Sequence, residues 1–227
     1  MLKRGKTGRR LGLVAAAAIG VMACTAIALA QPSEVIVAGP GESYTQPTYN
    51  TDQGVVVPFR NDGGTHNVTA RQTGPDGKAL FRSPTISGGT AGVDGTQYLS
   101  TGDYAFFCTV HPTTMNGTLH VTGGGTPVPR PSATLKLKSR KISKALKKGL
   151  PVAVNASTKI DGVELLAKLG KTTIGKATVS LAAGPQVDVV KLNKAGKSKL
   201  RGKSSAKVSV TASIPFGSPA STKAKLS

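Results

Sequence analysis

The sequence has no tryptophan, and its 227 residues include only five phenylalanines, four tyrosines and three histidines. So few large side chains disfavour an extensive enzyme core, whereas 28 glycines and 14 prolines favour short strands joined by turns. No Ser-His-Asp grouping, glycine-rich phosphate loop or paired-carboxylate motif is present. We therefore expect a protein that is not an enzyme.

The N-terminus predicts an export signal. Residues 1–10 carry five positive charges and no acid, and residues 11–30 are apolar and end in a small-x-small motif. This pattern is typical of a secretory signal peptide, which we place at residues 1–30, and it predicts a secreted or cell-envelope protein. Two alternatives remain open. The apolar run is long enough for a retained membrane anchor, and Cys24 lies in a sequence similar to a bacterial lipid-attachment motif.

Cysteine is almost absent. The chain has two, and removal of residues 1–30 leaves only Cys108. An exported chain with one cysteine has no internal disulfide. A lone exported thiol is open to oxidation unless something occupies it, so a metal-ligand role for Cys108 is favoured.

Charge divides the chain into two halves. Residues 31–123 hold four basic and seven acidic residues, a formal charge of −3, whereas residues 124–227 hold 21 basic and three acidic residues, a formal charge of +18. Three consecutive glycines followed by alternating prolines lie between the halves and indicate a linker at 124–133. We expect domains at 31–123 and 134–216, and a disordered tail at 217–227.

Both halves are predicted to be all-β, because short runs of β-branched or alternating residues recur between turn signals. In the first half we place strands at 34–37, 54–59, 67–70, 103–108 and 117–121. In the second half we place strands at 135–138, 151–154, 176–181, 187–190 and 206–212. Residues 142–150 are predicted to form either a helical turn that Gly149 ends or a loop.

The most informative segment runs from Cys108 to Met115 and contains His111. It holds a thiol, an imidazole and a thioether within eight residues, and His66 precedes a predicted strand 42 positions before the cysteine. Two histidines and one cysteine with a weak axial methionine form a blue-copper site. Taken singly, each of these residues has an ordinary structural interpretation, as a core or a solvated side chain. Zinc is less favoured because structural zinc sites prefer more thiolates.

The pattern H-N…C-x-x-H-P-x-x-M-x-G over residues 66–117 resembles the plastocyanin/azurin superfamily, especially bacterial cupredoxins of the amicyanin and pseudoazurin type. The resemblance covers residues 33–123. It implies a cupredoxin-like Greek-key β-sandwich that binds one Cu(I)/Cu(II) ion through His66, Cys108, His111 and Met115. His111 would be the solvent-facing electron port, and Asn67 would brace the ligand loop. Three residues separate His111 from Met115, one more than in amicyanin-like loops and one fewer than in plastocyanin-like loops.

The basic half resembles, more weakly, Ig-like β-sandwich modules attached to secreted actinobacterial proteins, which implies a second, smaller sandwich. Its charge of +18 would attract polyanions. Export and the shortage of aromatic residues argue against nucleic acid. We expect an anionic envelope polymer or lipid headgroups as partner, or lysines that only keep a thin sandwich soluble.

These observations predict an exported, monomeric blue-copper protein that carries one electron at a time. The alternative is an envelope-attached structural or copper-sequestering protein without a carrier role. No motif in the sequence specifies the redox partner proteins.

Overall fold

The computed structural model describes residues 33–227, and within them nearly every regular element is a strand. The predicted signal at 1–30 lies outside these residues. Between residues 33 and 227, no helix combines the length and the apolar character that crossing a bilayer requires.

The first half forms a β-sandwich of seven strands. They are β1 (Ile36–Ala38), β2 (Thr48–Asp52), β3 (Val57–Asn61), β4 (Thr69–Ala70), β5 (Gly89–Val93), β6 (Gly102–Phe107) and β7 (Asn116–Thr122). One sheet has the order β1-β3-β5 and the other has the order β2-β7-β6-β4. The β1–β3 and β2–β7 pairs are parallel and the remaining pairs are antiparallel. The predicted all-β sandwich is confirmed.

Alternation explains why these segments form half-buried strands. In β3, Val57, Phe59 and Asn61 are buried, whereas Arg60 between them is exposed. Residues two apart along a strand share one face of the sheet, so β3 directs Val57 and Phe59 into the core. That core takes side chains from both sheets, including Tyr49 and Phe106 from the second sheet.

The second half is also built of sheets. Its elements are β8 (Ala133–Leu137), α1 (Ile142–Lys148), β9 (Leu150–Ala156), β10 (Ile160–Leu169), β11 (Thr172–Leu181), β12 (Gly184–Val190), α2 (Lys194–Leu200), β13 (Ala206–Ser213) and β14 (Ala220–Leu226). The sheet orders are β11-β10-β13-β14 and β12-β9-β8. Aliphatic residues from both sheets form one buried cluster, which contains no aromatic side chain. The Ig-like assignment of this half stays a prediction.

Two short helices interrupt the second half. Residues 142–150 begin with α1, and Gly149 ends it at φ 86° with its N–H donating to the Ala145 carbonyl, as one of the two alternatives predicted. Helix α2 was not predicted from the sequence. Its signal was Asn193, whose side-chain oxygen accepts from the Gly196 N–H at 2.7 Å and so caps the helix N-terminus.

The predicted disordered tail at 217–227 is wrong. Strand β14 pairs antiparallel with β13 from Ala220 to Leu226, and Leu226 is fully buried. Residues 220, 222 and 224 are half-buried and alternate with exposed residues, as a strand requires. The polar composition concealed this alternation, and the edge of β13 supplies the hydrogen-bond partners that order the segment.

Phe216, in the turn between β13 and β14, contacts the first half of the chain. The Arg82 guanidinium carbon lies 4.1 Å from the centre of the Phe216 ring, and the Tyr98 ring centre lies 6.0 Å away. Phe216 has φ 60°, a left-handed conformation that is rare for a bulky residue and persists only where its surroundings enforce it.

Two hydrogen bonds also hold the backbone of Phe216 in place. Its N–H donates to Asp76 Oδ2 at 3.0 Å, and its carbonyl accepts from Arg130 Nη1 at 3.1 Å. Burial acts to raise the pKa of Asp76. Hydrogen bonds from the N–H groups of Phe216 and Lys78 and from Arg82 outweigh burial, so this pKa lies below its ordinary value. We call the contact among Phe216, Asp76 and Arg82 the Phe216 latch.

We predict that Phe216→Ala destabilises the protein by about 1–3 kcal/mol, because the protein loses the cation–π contact of the ring with Arg82 and the apolar area that the ring partly buries. Urea unfolding monitored by circular dichroism measures this change. Phe216→Tyr, which keeps a ring, serves as the control and should lose much less. An unchanged unfolding midpoint for Phe216→Ala would show that the Phe216 latch does not contribute to stability.

Candidate metal centre

His66 lies at the end of a tight turn that follows β3. Asn61 shapes the turn: its Nδ2 donates to the carbonyls of Gly64 and Ile86, and its Oδ1 accepts from the Gly63 N–H. Gly64 has φ 74°, and a Cβ on it would lie 2.7 Å from His66 Nε2, so this position requires glycine. The His66 backbone then pairs with Ile86 through two hydrogen bonds of 3.0 Å. The position of the imidazole is therefore fixed by the turn that precedes His66 and by the pairing of its backbone with Ile86.

Cys108, His111 and Met115 lie on the loop between β6 and β7. The Met115 N–H donates to the His111 carbonyl and the Cys108 N–H donates to the Met115 carbonyl, both at 3.0 Å. These bonds close the loop on itself, so that one short segment presents three side chains together. Gly117 follows in β7, where a Cβ would lie 2.5 Å from the Phe106 ring.

The structure brings His66, Cys108 and His111 together. One donor atom from each lies within 4.8 Å of the other two, and the separation between Cys108 Sγ and His66 Nδ1 is 3.9 Å. His66 and Cys108 are buried, whereas the His111 side chain is 23% exposed. Met115 is fully buried and packs in the same core cluster as Cys108. The four residues predicted from the sequence thus lie in one part of the sandwich.

This donor group fits a metal ion. Metal–nitrogen and metal–sulfur bonds of about 2.0–2.3 Å place three trigonal donors about 3.5–4 Å apart. The Cys108–His66 separation meets this requirement without rearrangement. Within residues 33–227, His66 Nε2 and His111 Nδ1 are buried without a hydrogen-bond partner. A buried polar atom without a partner is costly, and for His111 Nδ1 a bound metal would provide one.

Asn67 ties the His66 segment to the ligand loop. Its Oδ1 accepts from the Thr109 N–H at 2.9 Å, and its Nδ2 donates to the hydroxyls of Thr109 and Thr85 at 2.6 and 2.8 Å. Tyr44 donates from its hydroxyl to the Asn67 carbonyl at 2.6 Å. The side chain of Asn67 is therefore placed as the predicted brace between two segments 42 residues apart.

Burial shifts the pKa of two side chains at the site, His66 and Tyr44. Burial, and next the neighbouring His111, lower the pKa of His66, so its imidazole stays neutral and keeps a lone pair for a metal. Burial raises the pKa of Tyr44 well above its ordinary value, and its hydroxyl remains a donor to Asn67. Both effects favour one fixed hydrogen-bonding pattern around the centre.

Four contacts near the site, made by Glu42, Thr85 and Thr109, were not predicted. Glu42 Oε1 lies 3.8 Å from His111 Nε2, and Glu42 Oε2 accepts from the Thr114 hydroxyl at 3.2 Å. Thr85 and Thr109 are the partners of Asn67. Thr109 directly follows Cys108, and this position in the ligand loop could have indicated its contact with Asn67. Nothing in the sequence links Glu42 to a loop about 70 positions later.

His120 lies away from the centre, as predicted. It is exposed on β7, opposite Asp103 on β6, and its Nδ1 is 2.6 Å from Asp103 Oδ1. It is not one of the residues that converge at the candidate metal centre.

No protein-family model and no curated protein matches the chain. Among solved structures, a reduced mutant of amicyanin is 24% identical, with the match covering 42% of this chain and 87% of the amicyanin chain at a TM-score of 0.33. Auracyanin A, a "blue" copper protein from the green thermophilic photosynthetic bacterium Chloroflexus aurantiacus, is 20% identical, with 39% and 97% of the two chains covered and a TM-score of 0.34.

We predict that Asn67→Ala loosens the ligand loop and destabilises the protein by about 1–3 kcal/mol, because the Thr109 N–H loses its acceptor. In the metal-free protein, Cys108 should react faster with a thiol reagent, and the rate of that reaction measures the loosening. Thr85→Val, which removes only one of the brace's partners, is the control and should have a smaller effect. Equal reaction rates for Asn67→Ala and the unmodified protein would contradict this role for Asn67.

Proposed function

We propose that this protein binds one copper ion through His66, Cys108, His111 and Met115 and carries single electrons. The observation that supports this most directly is the convergence of two imidazoles and one thiol, with donor atoms within 4.8 Å, inside a β-sandwich. A bound copper ion supplies the chemistry by alternating between Cu(II) and Cu(I). Thiolate and thioether suit Cu(I), and imidazoles suit Cu(II), so one donor set serves both states.

The choice of copper over zinc follows from the donors. Structural zinc sites are closed sets of four strong ligands, rich in thiolates and spaced at short intervals. Here only one thiol is available in the described chain, and the fourth candidate donor is the thioether of Met115. Within residues 33–227, the metal-ligand grouping contains no carboxylate. Soft sulfur with imidazole and no hard oxygen ligand is a copper preference.

Rigidity supports a carrier role. An electron carrier works fastest when its ligands need not move between oxidation states. The loop from Cys108 to Met115 is closed by its own backbone hydrogen bonds, and Asn67 fastens it to the His66 segment. Both segments are therefore held before any metal arrives, and the site changes little when the charge of the ion changes.

His111 provides the route for the electron. His66, Cys108 and Met115 are buried, so only the partly exposed His111 joins the donor group to the surface. A partner protein would approach at this imidazole and near Val110, which is 44% exposed. Glu42 lies beside the same edge and places a negative charge on that surface. We propose that the carrier works outside the cytoplasm, as the sequence of residues 1–30 predicts.

Copper loading tests the site. The Cu(II) protein should show an intense visible absorption from thiolate-to-copper charge transfer, and Cys108→Ser should abolish it because no other described residue offers a thiol. His120→Ala is the control: it also removes a side chain able to ligate a metal, but an exposed one outside the centre, and should leave the band intact. A Cys108→Ser protein that keeps the band would disprove thiolate ligation.

Voltammetry separates a carrier from a copper-sequestering protein. We expect a reversible one-electron couple with rapid electron exchange, because the ligand loop is already braced. Met115→Gln should lower the midpoint potential, since it replaces a soft axial donor that favours Cu(I) with a harder one. Sluggish exchange combined with very tight Cu(I) binding would instead support sequestration and overturn the carrier function.

A further inference from the structure

The outer face of the β10-β13-β14 sheet concentrates lysines in register. Lys207 on β13 lies directly opposite Lys225 on β14. In the neighbouring row, Ser209 on β13 lies between Lys168 on β10 and Lys223 on β14. All four lysines are exposed. We call Lys168, Lys207, Lys223 and Lys225 the lysine cradle.

This arrangement is unfavourable for the protein alone. Directly opposed residues of an antiparallel pair have Cβ atoms about 4.5–5.5 Å apart, and like charges at that separation destabilise the sheet. Among residues 124–227, the only lysine–carboxylate pairs within 4.0 Å are Lys159–Asp161 and Lys176–Glu164. Neither pair includes a cradle lysine, so the repulsion between Lys207 and Lys225 is not offset by a neighbouring acid.

The surface at the lysine cradle is concave. A depression of about 480 Å³ is lined by Gly170, Ser209 and three of the lysines, Lys207, Lys223 and Lys225. A second depression of about 530 Å³ shares Gly170 and Lys207 and adds Lys199 and Lys203. The two form a continuous basic track that passes the turn between β10 and β11.

We propose that this track binds a linear polyanion whose charges are phosphate groups. An ammonium group is a compact point charge with three donors and suits phosphate oxygens without a fixed direction of approach, whereas a guanidinium fork binds a carboxylate or a phosphate in one fixed bidentate geometry. Every basic residue lining the two depressions is lysine. The proposal does not depend on the candidate metal centre and goes beyond the electron-carrier function.

Other anionic partners fit the lysine cradle less well. Proteins that bind single-stranded nucleic acid stack the bases on aromatic side chains. The only aromatic residue in 124–227 is Phe216, which belongs to the Phe216 latch. A bilayer surface is flat and favours apolar side chains beside the cations. No exposed large apolar side chain among the described residues lines either depression, since Val208 is buried and Leu169 is half-buried.

Binding of long-chain inorganic polyphosphate to the whole protein tests the proposal. Isothermal titration at several salt concentrations should show that the double variant Lys207→Gln/Lys225→Gln binds about tenfold more weakly. Its plot of log K against log salt should be shallower by about one to two, because two cations no longer displace counterions. The control Lys144→Gln/Lys148→Gln removes the same charge from α1, outside both depressions, and should change affinity by no more than roughly twofold. Equal losses in the two double variants would show that net charge alone drives binding and would overturn the site.

Thermal unfolding gives a second, independent result. Without polyphosphate, Lys207→Gln/Lys225→Gln should unfold at a higher temperature than the unmodified protein, because the cross-strand repulsion is gone. Polyphosphate should raise the unfolding temperature of the unmodified protein and scarcely affect the double variant. If the variant aggregates but binds polyphosphate normally, the lysines protect the edge strand β14 and the proposal is wrong.

Competing ligands identify the charged group. Polyglutamate presents carboxylates on a flexible chain, and vesicles containing phosphatidylglycerol present phosphate on a flat bilayer. We expect both to bind more weakly than polyphosphate and to lose little affinity in Lys207→Gln/Lys225→Gln. Polyglutamate binding that is equally tight and equally sensitive to the double variant would refute phosphate selection. The same result with vesicles would assign the cradle to a membrane surface instead.

Discussion

The candidate metal centre depends on the fixed separation between the His66 segment and the Cys108 loop, and Asn67 holds that separation. The side-chain amide of Asn67 forms hydrogen bonds with the backbone N–H and the hydroxyl of Thr109, and the Tyr44 hydroxyl donates to the backbone carbonyl of Asn67. Because these groups are largely enclosed, any shift of one segment would leave a donor or an acceptor without a partner. The hydrogen bonds of Asn67 therefore keep the two imidazoles and the thiol within bonding range of one ion, although none of these three side chains takes part in those bonds.

Enclosure also divides the work among the four residues. The sandwich core shields His66, Cys108 and Met115 from water, whereas His111 keeps an edge at the surface beside Glu42. A metal held there would be protected from solvent and would still be connected to a partner. In the proposed function, this division suits electron exchange better than a reaction in which a substrate must reach the metal.

The two halves of the chain combine different surfaces in one molecule. The first half is slightly acidic, and the second carries its charge on exposed lysines around an aliphatic core. The Phe216 latch joins them: the Phe216 ring packs on Arg82 while its N–H bonds to Asp76. If the lysine cradle holds a polyanion, the candidate metal centre on the same chain stays close to that polymer.

By itself the sequence determined the all-β class and the C-x-x-H loop with its nearby Met115, because these are set by local spacing and backbone preference. For residues 142–150 the sequence left a helical turn ending at Gly149 and a loop as alternatives, and the structure has the helix. The local sequence was misleading where pairing with another strand decides whether a segment is ordered. The polar segment after Phe216 is ordered as β14 only because β13 offers it an edge. Tertiary structure alone placed Glu42 beside His111 and opposed Lys207 to Lys225, because both contacts depend on loop packing and strand register between distant segments, which no local pattern records.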